Sequence, residues 1–210
     1  MTQDFVHLRM HTEFSIKDGM LNPKKVVHKA IASGMKALAI TDATAMFGDV
    51  IFYKAASAAG IKPILGADCS ITNHYNRDDY LRLLFLARNH QGYLTLCDLL
   101  SRAWLTNQYK DRGEVDLDWI TPEMADGLIV LSGFNTGAIG KAILNGSLSA
   151  AEQEARRLSQ KFPHFFMELQ RVGRPNDEML VAESVKLAKK LGLPVVATPV
   201  SYTHLTLPTT

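Results

Sequence analysis

The chain has 210 residues, 47% of them hydrophobic and 21% charged, and its 23 basic and 21 acidic side chains leave a formal charge of +2. That balance excludes a disordered chain, and charge interrupts every apolar run before the ~20 residues of a membrane span. The small net charge gives no sign of a surface built to coat nucleic acid, and 23.2 kDa suits one domain with a continuous core. Met1-Thr2-Gln3-Asp4 carries neither a basic nor an apolar leader region. Cys69 and Cys97 lack the close Cys/His spacing of a zinc site, so the expectation is a cytoplasmic protein with two buried free thiols.

In chain order, a first strand is expected from Phe5 to Met10. Asn22 as N-cap, Pro23 at the first helical position and Gly34 as a left-handed stop frame the first helix. A strand from Lys36 to Thr41 leads to a helix from Asp49 to Ala59, closed by Gly60. Strands from Ile61 to Leu65 and from Leu81 to Ala87 are separated by a polar turn at 73–79. The helix from His90 to Leu105 sets Leu94, Cys97, Leu100 and Ala103/Trp104 along one face, and the charged, irregular stretch 106–118 reads as a loop.

A strand from Gly127 to Leu131, helices from Thr136 to Leu144 and from Ser149 to Gln160, and a strand from Phe165 to Gln170 follow. The helix from Pro175 to Leu191 carries a buried stripe of Leu180, Ser184, Leu187, Ala188 and Leu191, is closed by Gly192, and precedes a last strand from Leu193 to Thr198. Ser201 to Thr210 continues no element and reads as a non-native tail, which leaves 1–200 as one domain. Strands alternating with helices predict parallel βα units, most naturally closed into a barrel with the helices outside; an open doubly wound sheet is the competitor. A barrel places its chemistry at the carboxyl ends of the strands.

At those ends the residues are polar. His7, Arg9 and His11 alternate and so share a face, while Thr41-Asp42, Gly66-Ala67-Asp68, Ser132-Gly133 and Glu168-Leu169-Gln170 end other strands. Imidazoles and carboxylates are ligands of hydrolytic divalent metals, so the set suggests an ancestral metal site for phosphate esters. Arg9 argues against a live one, because a fixed cation between two ligands repels a divalent ion. Polar strand ends also arise simply because they meet solvent, and Asp18-Gly19 also reads as a turn. His28, His74, His90 and His164 read as helix-surface or loop residues without partners at ligand spacing.

The run Phe5-Val6-His7-Leu8-Arg9-Met10-His11-Thr12 with Ser15 and Asp18-Gly19, followed by Ala37-Leu38-Ala39-Ile40-Thr41-Asp42, closely resembles one domain family. It is similar to the polymerase and histidinol phosphatase (PHP) domain, in the form that opens bacterial DNA polymerase III alpha subunits. The resemblance continues through Phe47-Gly48, Phe52-Tyr53-Lys54-Ala55-Ala56, the run from Ala59 to Gly66, Leu86-Ala87-Arg88-Asn89, Gly92-Tyr93 and the run from Gly127 to Gly133. It spans residues 5 to about 199.

The resemblance implies an α/β fold, a distorted seven-stranded (βα)7 barrel of PHP type, at the start of a longer replicative polymerase of which this chain would be a fragment. In metal-binding members the first strand carries His-x-His, where Arg9 and His11 stand here. The Thr-Asp-His-Gly motif reads Thr41-Asp42-Ala43-Thr44, a glutamate reads Asp68, a histidine reads Arg82, and a cysteine after Leu-Ser-Gly reads Phe134. The last Asp-x-His falls at Val200 to Tyr202.

The implied pocket of His7, Arg9, His11, Asp18, Asp42, Asp68, Arg82 and Glu168 is vestigial, with no catalytic, cofactor-binding or metal-ligating residue. Arg9 is expected to pair with Asp42 or Asp68 and keep a buried acid compensated. The implied function is an inactive scaffold that docks the proofreading exonuclease subunit, joined to the remainder of the alpha chain, which engages DNA and uses Mg2+; no membrane partner is implied. The alternative is an active metal-dependent phosphoesterase or 3′–5′ exonuclease of the PHP class with Zn2+ or Mn2+.

Overall fold

The computed structural model describes residues 5–16 and 18–199. In chain order the elements are α1 (Pro23–Ala32), β1 (Ala37–Ala43), α2 (Asp49–Ala58), β2 (Lys62–Ile71), β3 (Leu81–Ala87) and α3 (His90–Thr106). There follow β4 (Gln108–Tyr109), β5 (Arg112–Gly113), α4 (Pro122–Asp126), β6 (Leu128–Leu131), α5 (Ala138–Leu144), α6 (Leu148–Lys161), β7 (Phe165–Leu169), α7 (Asp177–Leu191) and β8 (Val195–Ala197). The Asn22 side chain accepts from Lys25 N at 3.3 Å to cap α1, and Gly34, at φ +73°, turns the chain out of it.

Six strands form one curled sheet of order β1-β2-β3-β6-β7-β8, a half-barrel with accompanying helices. The α/β expectation holds, with two differences in the sheet. First, β3 runs antiparallel to both neighbours, whereas the other pairs are parallel. The connection from β2 to β3, residues 72–80, holds no helix, and a tight turn can return the chain only antiparallel.

Second, residues 5–10 form no ladder. They lie beside β1 through a parallel His7–Leu38 bridge, and Ala39 N and Thr41 N donate to His7 O and Met10 O at 2.9 and 3.0 Å. The seventh strand-like segment is therefore present as an irregular edge.

Alternation along the strands divides the side chains. Leu83 and Phe85 of β3, Cys69 of β2, Val130 of β6 and Met167 of β7 join the larger core with Leu96, Leu99 and Leu158 of the helices. Ala39, Leu84, Leu86 and Leu131 form a smaller cluster on the other face of the sheet. On β1, Leu38 and Ile40 pack with Val26, Val27 and Phe52 of α1 and α2.

Several local expectations change in detail. The buried side of α3 keeps Leu100 and Ala103 of the expected stripe and adds Leu96 and Leu99, whereas Leu94 is 45% exposed. Near its start, α3 packs closely on the chain at Gly127: a Cβ on Gly92 would fall 1.8 Å from Gly127 O. In α7, Leu180, Ser184 and Ala188 are buried, with Leu187 and Leu191 only half-buried. The expected loop 106–118 contains the β4–β5 hairpin, and Glu114 in it is fully buried, held by Arg77 Nε and Arg112 Nε at 2.9 Å each. Both cysteines are free, Cys69 buried and Cys97 half-buried. Among the described residues no helix is long and apolar enough to cross a membrane. Val200 to Tyr202 and the tail 201–210 lie outside the described residues.

Candidate functional site: an arginine-filled acidic pocket

The pocket forms because one parity of each strand supplies it. Asp68 of β2 pairs in register with Leu84 of β3, two residues on from Arg82, while Glu168 of β7 has the parity of Phe166, which packs on the smaller cluster. Arg9 enters from the irregular segment beside β1. Its Nε and Nη2 donate to Glu168 Oε1 and Oε2 at 2.8 and 2.9 Å, a bidentate fork, and its Nη1 donates to Asp68 Oδ2. Arg9, Asp68 and Glu168 are all buried.

Asp68 Oδ2 also meets His11 Nε2 at 3.0 Å and Arg82 Nη1 at 3.1 Å, and His11 Nδ1 meets Asp18 Oδ1 at 2.9 Å. Behind Arg9, Glu168 Oε1 accepts from Gln170 Nε2 at 3.0 Å and from the Thr198 hydroxyl, and Glu168 Oε2 accepts from Gly133 N at 3.1 Å. Gly133 has φ +80°, and a Cβ there would lie 2.2 Å from Arg82 O, so glycine is required for that amide to reach the carboxylate.

Burial raises carboxylate pKa values, yet both acids titrate low. For Asp68 the burial penalty is overcome by Arg9, the His11 hydrogen bond and Arg82, which together hold it well below the usual carboxylate range. For Glu168, Arg9 and the Thr198 and Gln170 hydrogen bonds overcome burial in the same way. Burial opposes a charge on His11, but its bonds to Asp18 and Asp68 prevail and raise its pKa. Arg9, Arg82 and the His11 ring thus face Asp18, Asp68 and Glu168 across the pocket.

Asp42 is the expected member that the structure places elsewhere. It shares parity with Leu38 and Ile40, which face α1 and α2, rather than with Ala39. There its Oδ1 accepts from Thr12 N at 2.5 Å and Ser15 Oγ at 2.7 Å, and its Oδ2 from Thr12 Oγ1 at 2.7 Å. Of the two acids offered to Arg9, Asp68 is the partner, and Glu168 is the second. His7 is fully buried and packs edge to face on Phe5, ring centroids 5.0 Å apart. Phe134 is buried in the larger core.

Thr198 was not foreseen as a site residue; its place at the end of the last strand was the available signal. His74, which has no partner at ligand spacing along the chain, finds neighbours in space. It gathers with Asp116 and Asp118, which lie more than forty residues away in sequence and so left no spacing signal.

A divalent metal cluster requires free lone pairs on imidazole and carboxylate. Both nitrogens of His11 are engaged by carboxylates, both oxygens of Glu168 accept hydrogen bonds, and Asp68 Oδ2 is shared by Arg9, Arg82 and His11. Asp68 Oδ1 is buried without a hydrogen bond, a single acceptor beside two guanidinium groups. The residues present do not fit such a cluster.

Comparison with known proteins matches the chain to a family. A DNA polymerase III subunit alpha of Neisseria meningitidis serogroup B is 46% identical over 200 residues, covering 92% of this chain and 17% of the relative. Those of Pseudomonas fluorescens and Escherichia coli K12 are each 42% identical, over 94% and 92% of this chain and 17% of their own lengths. The chain thus spans about a sixth of the length of these curated relatives.

Among solved structures, an amidohydrolase from Chromobacterium violaceum superposes with a TM-score of 0.65 at 14% identity, covering 94% of this chain and 87% of that one. A protein described as a metal-dependent phosphoesterase from Bifidobacterium adolescentis gives 0.59 at 13% identity, covering 92% and 86%. These two likenesses concern the fold. The PHP domain model matches residues 7–172, from the buried His7 through β7 and the strand end that carries Glu168, and the chain belongs to the PHP domain family.

Proposed function

We propose that this chain is the PHP module at the amino end of a cytoplasmic replicative DNA polymerase alpha chain. In this reading the module is catalytically inactive, supports the rest of the polymerase and offers a docking surface to the proofreading exonuclease subunit. Nucleotide transfer on DNA, with its Mg2+ ions, belongs to the remainder of the alpha chain. One observation carries the reading: the Arg9 guanidinium sits between Asp68 and Glu168 with all three buried, where a hydrolytic site would need a cation that can bind and polarise a phosphate or water. The relatives' shared name supports the polymerase assignment.

An arginine cannot lower the pKa of a bound water as a metal does, but it neutralises the two acids permanently and independently of metal supply. Its planar fork, bidentate on Glu168 and reaching Asp68, fixes β2, β7 and the segment 5–12 relative to one another. That is the mechanical contribution expected of a scaffold. The test is hydrolysis of bis-p-nitrophenyl phosphate and of single-stranded DNA by the purified chain in Mn2+ or Zn2+, together with co-purification with the exonuclease subunit. No turnover and a stable complex are expected. Turnover abolished by His11→Ala overturns the inactive reading, and failure to form the complex overturns the docking role.

A further inference from the structure

Next to the Arg9 pocket, with Arg82 contributing to both, a cleft of about 540 Å3 opens between the β2–β3 connection, the segment after β5, α5 and α6. Its lining includes His74, Asp116 and Asp118. One ligand atom from each of these three side chains lies within 4.8 Å of the others. We propose that His74, Asp116 and Asp118 form a binding site for a divalent transition-metal ion of the zinc class, sharing no side chain with the Arg9 pocket.

The backbone brings the three together. Val115 forms a parallel bridge with Ile71 at the end of β2; Val115 N donates to Ser70 O at 2.8 Å and Thr72 N to Val115 O at 3.0 Å. His74 therefore leaves β2 beside the point where Asp116 leaves the neighbouring segment. The loop is shaped by Asn73, whose Oδ1 accepts from Tyr75 N at 3.1 Å and whose Nδ2 donates to Asp79 O at 2.8 Å. Asp116 is oriented as well: its Oδ1 accepts from Asp118 N at 3.0 Å, which leaves Oδ2 facing His74 Nε2 at 3.3 Å.

One imidazole and two carboxylates make the mixed nitrogen and oxygen donor set that zinc accepts. Metal–ligand distances of about 2.1 Å require the donors to draw together by on the order of 1 Å. His74 and Asp118 are exposed and able to close by that amount, while Asp116 stays in place as the N-cap of a short 3-10 turn, Leu117–Trp119. The ion would sit where His74 Nε2 now faces Asp116 Oδ2.

The nearby cations do not oppose it freely. Arg157 is forked onto Glu154 at 2.7 Å through both Nε and Nη2, although Asp118 also lies within its electrostatic reach, and Arg82 is turned to Asp68. Three protein donors leave coordination positions for water or an oxyanion, and the bound ion would clip the β2–β3 connection to the segment before α4.

The experiment is calorimetric titration of the 210-residue chain with ZnCl2, paralleled by Co2+ titration read from its visible absorption. Wild type should bind about one equivalent at this site, and His74→Ala and Asp118→Asn should each weaken it at least tenfold while far-ultraviolet circular dichroism stays unchanged. His28→Ala, an exposed histidine of α1, serves as the control and should bind as wild type. Absence of binding by the wild type, or wild-type affinity in both His74→Ala and Asp118→Asn, overturns the proposal.

Discussion

Asp68 and Asp49 are carboxylates of nearly equal depth, 0% and 2% exposed, in opposite surroundings. Asp68 meets Arg9, Arg82 and His11 and stays ionised. Asp49, in the first turn of α2, has neither side-chain oxygen hydrogen-bonded, and burial together with repulsion from Asp42 pushes its pKa up to about 8. A helix N-terminus favours an anion by roughly 0.3–1 kcal/mol, whereas a displacement from 3.8 to about 8 corresponds to roughly 6 kcal/mol, so burial decides. Depth alone, then, does not set ionisation. The partner does, and the partner is supplied by distant strands.

The largest expected effect comes from removing that partner. Arg9→Ala leaves Asp68 and Glu168 facing each other without their shared cation, and should cost about 3–5 kcal/mol of stability in a urea titration at pH 7. A loss below about 1 kcal/mol would mean that the pocket is solvated enough to dispense with the ion pairs.

A smaller, pH-dependent effect attaches to Asp49. Its folded pKa is raised, so the folded chain binds the proton more tightly than the unfolded one. Its contribution is complete below about pH 4 and is lost as pH rises to about 8. Between pH 5 and pH 8 this one group should remove about 3 kcal/mol from the wild type. Asp49→Asn abolishes that slope, and the two proteins should diverge most at pH 8 in paired denaturant titrations. Parallel pH profiles would show that Asp49 is hydrated and ionised.

At the smallest end lies the surface pair Arg171–Glu178, 69% and 72% exposed at 2.7 Å. Arg171→Ala should leave the thermal midpoint unchanged within error, since solvent screens such a pair. A shift comparable to that of Arg9→Ala would erase the distinction between buried and exposed pairing.

Legibility differed by kind of feature. Helix boundaries were readable from short-range chemistry: Asn22-Pro23 and Gly34 bracket α1, and Gly192, at φ +65°, ends α7. The charge stretch 106–118 misled because such runs are usually solvated, whereas Glu114 is buried between Arg77 and Arg112, which lie on separate segments. Arg9 in the place of a ligand was visible as a residue. Its choice of Asp68 over Asp42 was not, because the strand parity that sends Asp42 toward α1 and α2 shows only once the sheet is assembled. Asp49 looked like an ordinary acid at a helix start, and only burial without a donor makes it unusual.

By itself the amino-acid sequence determined the order and type of most elements, the family and the arrival of a guanidinium in an acidic pocket, since these depend on residue identity and on neighbours a few positions away. Tertiary structure alone decided the antiparallel β3, the burial of Asp49 and the meeting of Arg9 with Glu168 across 159 positions. Backbone preferences act over a turn or a strand, whereas contacts between remote side chains depend on register and curl, which emerge only when the whole sheet closes around its core.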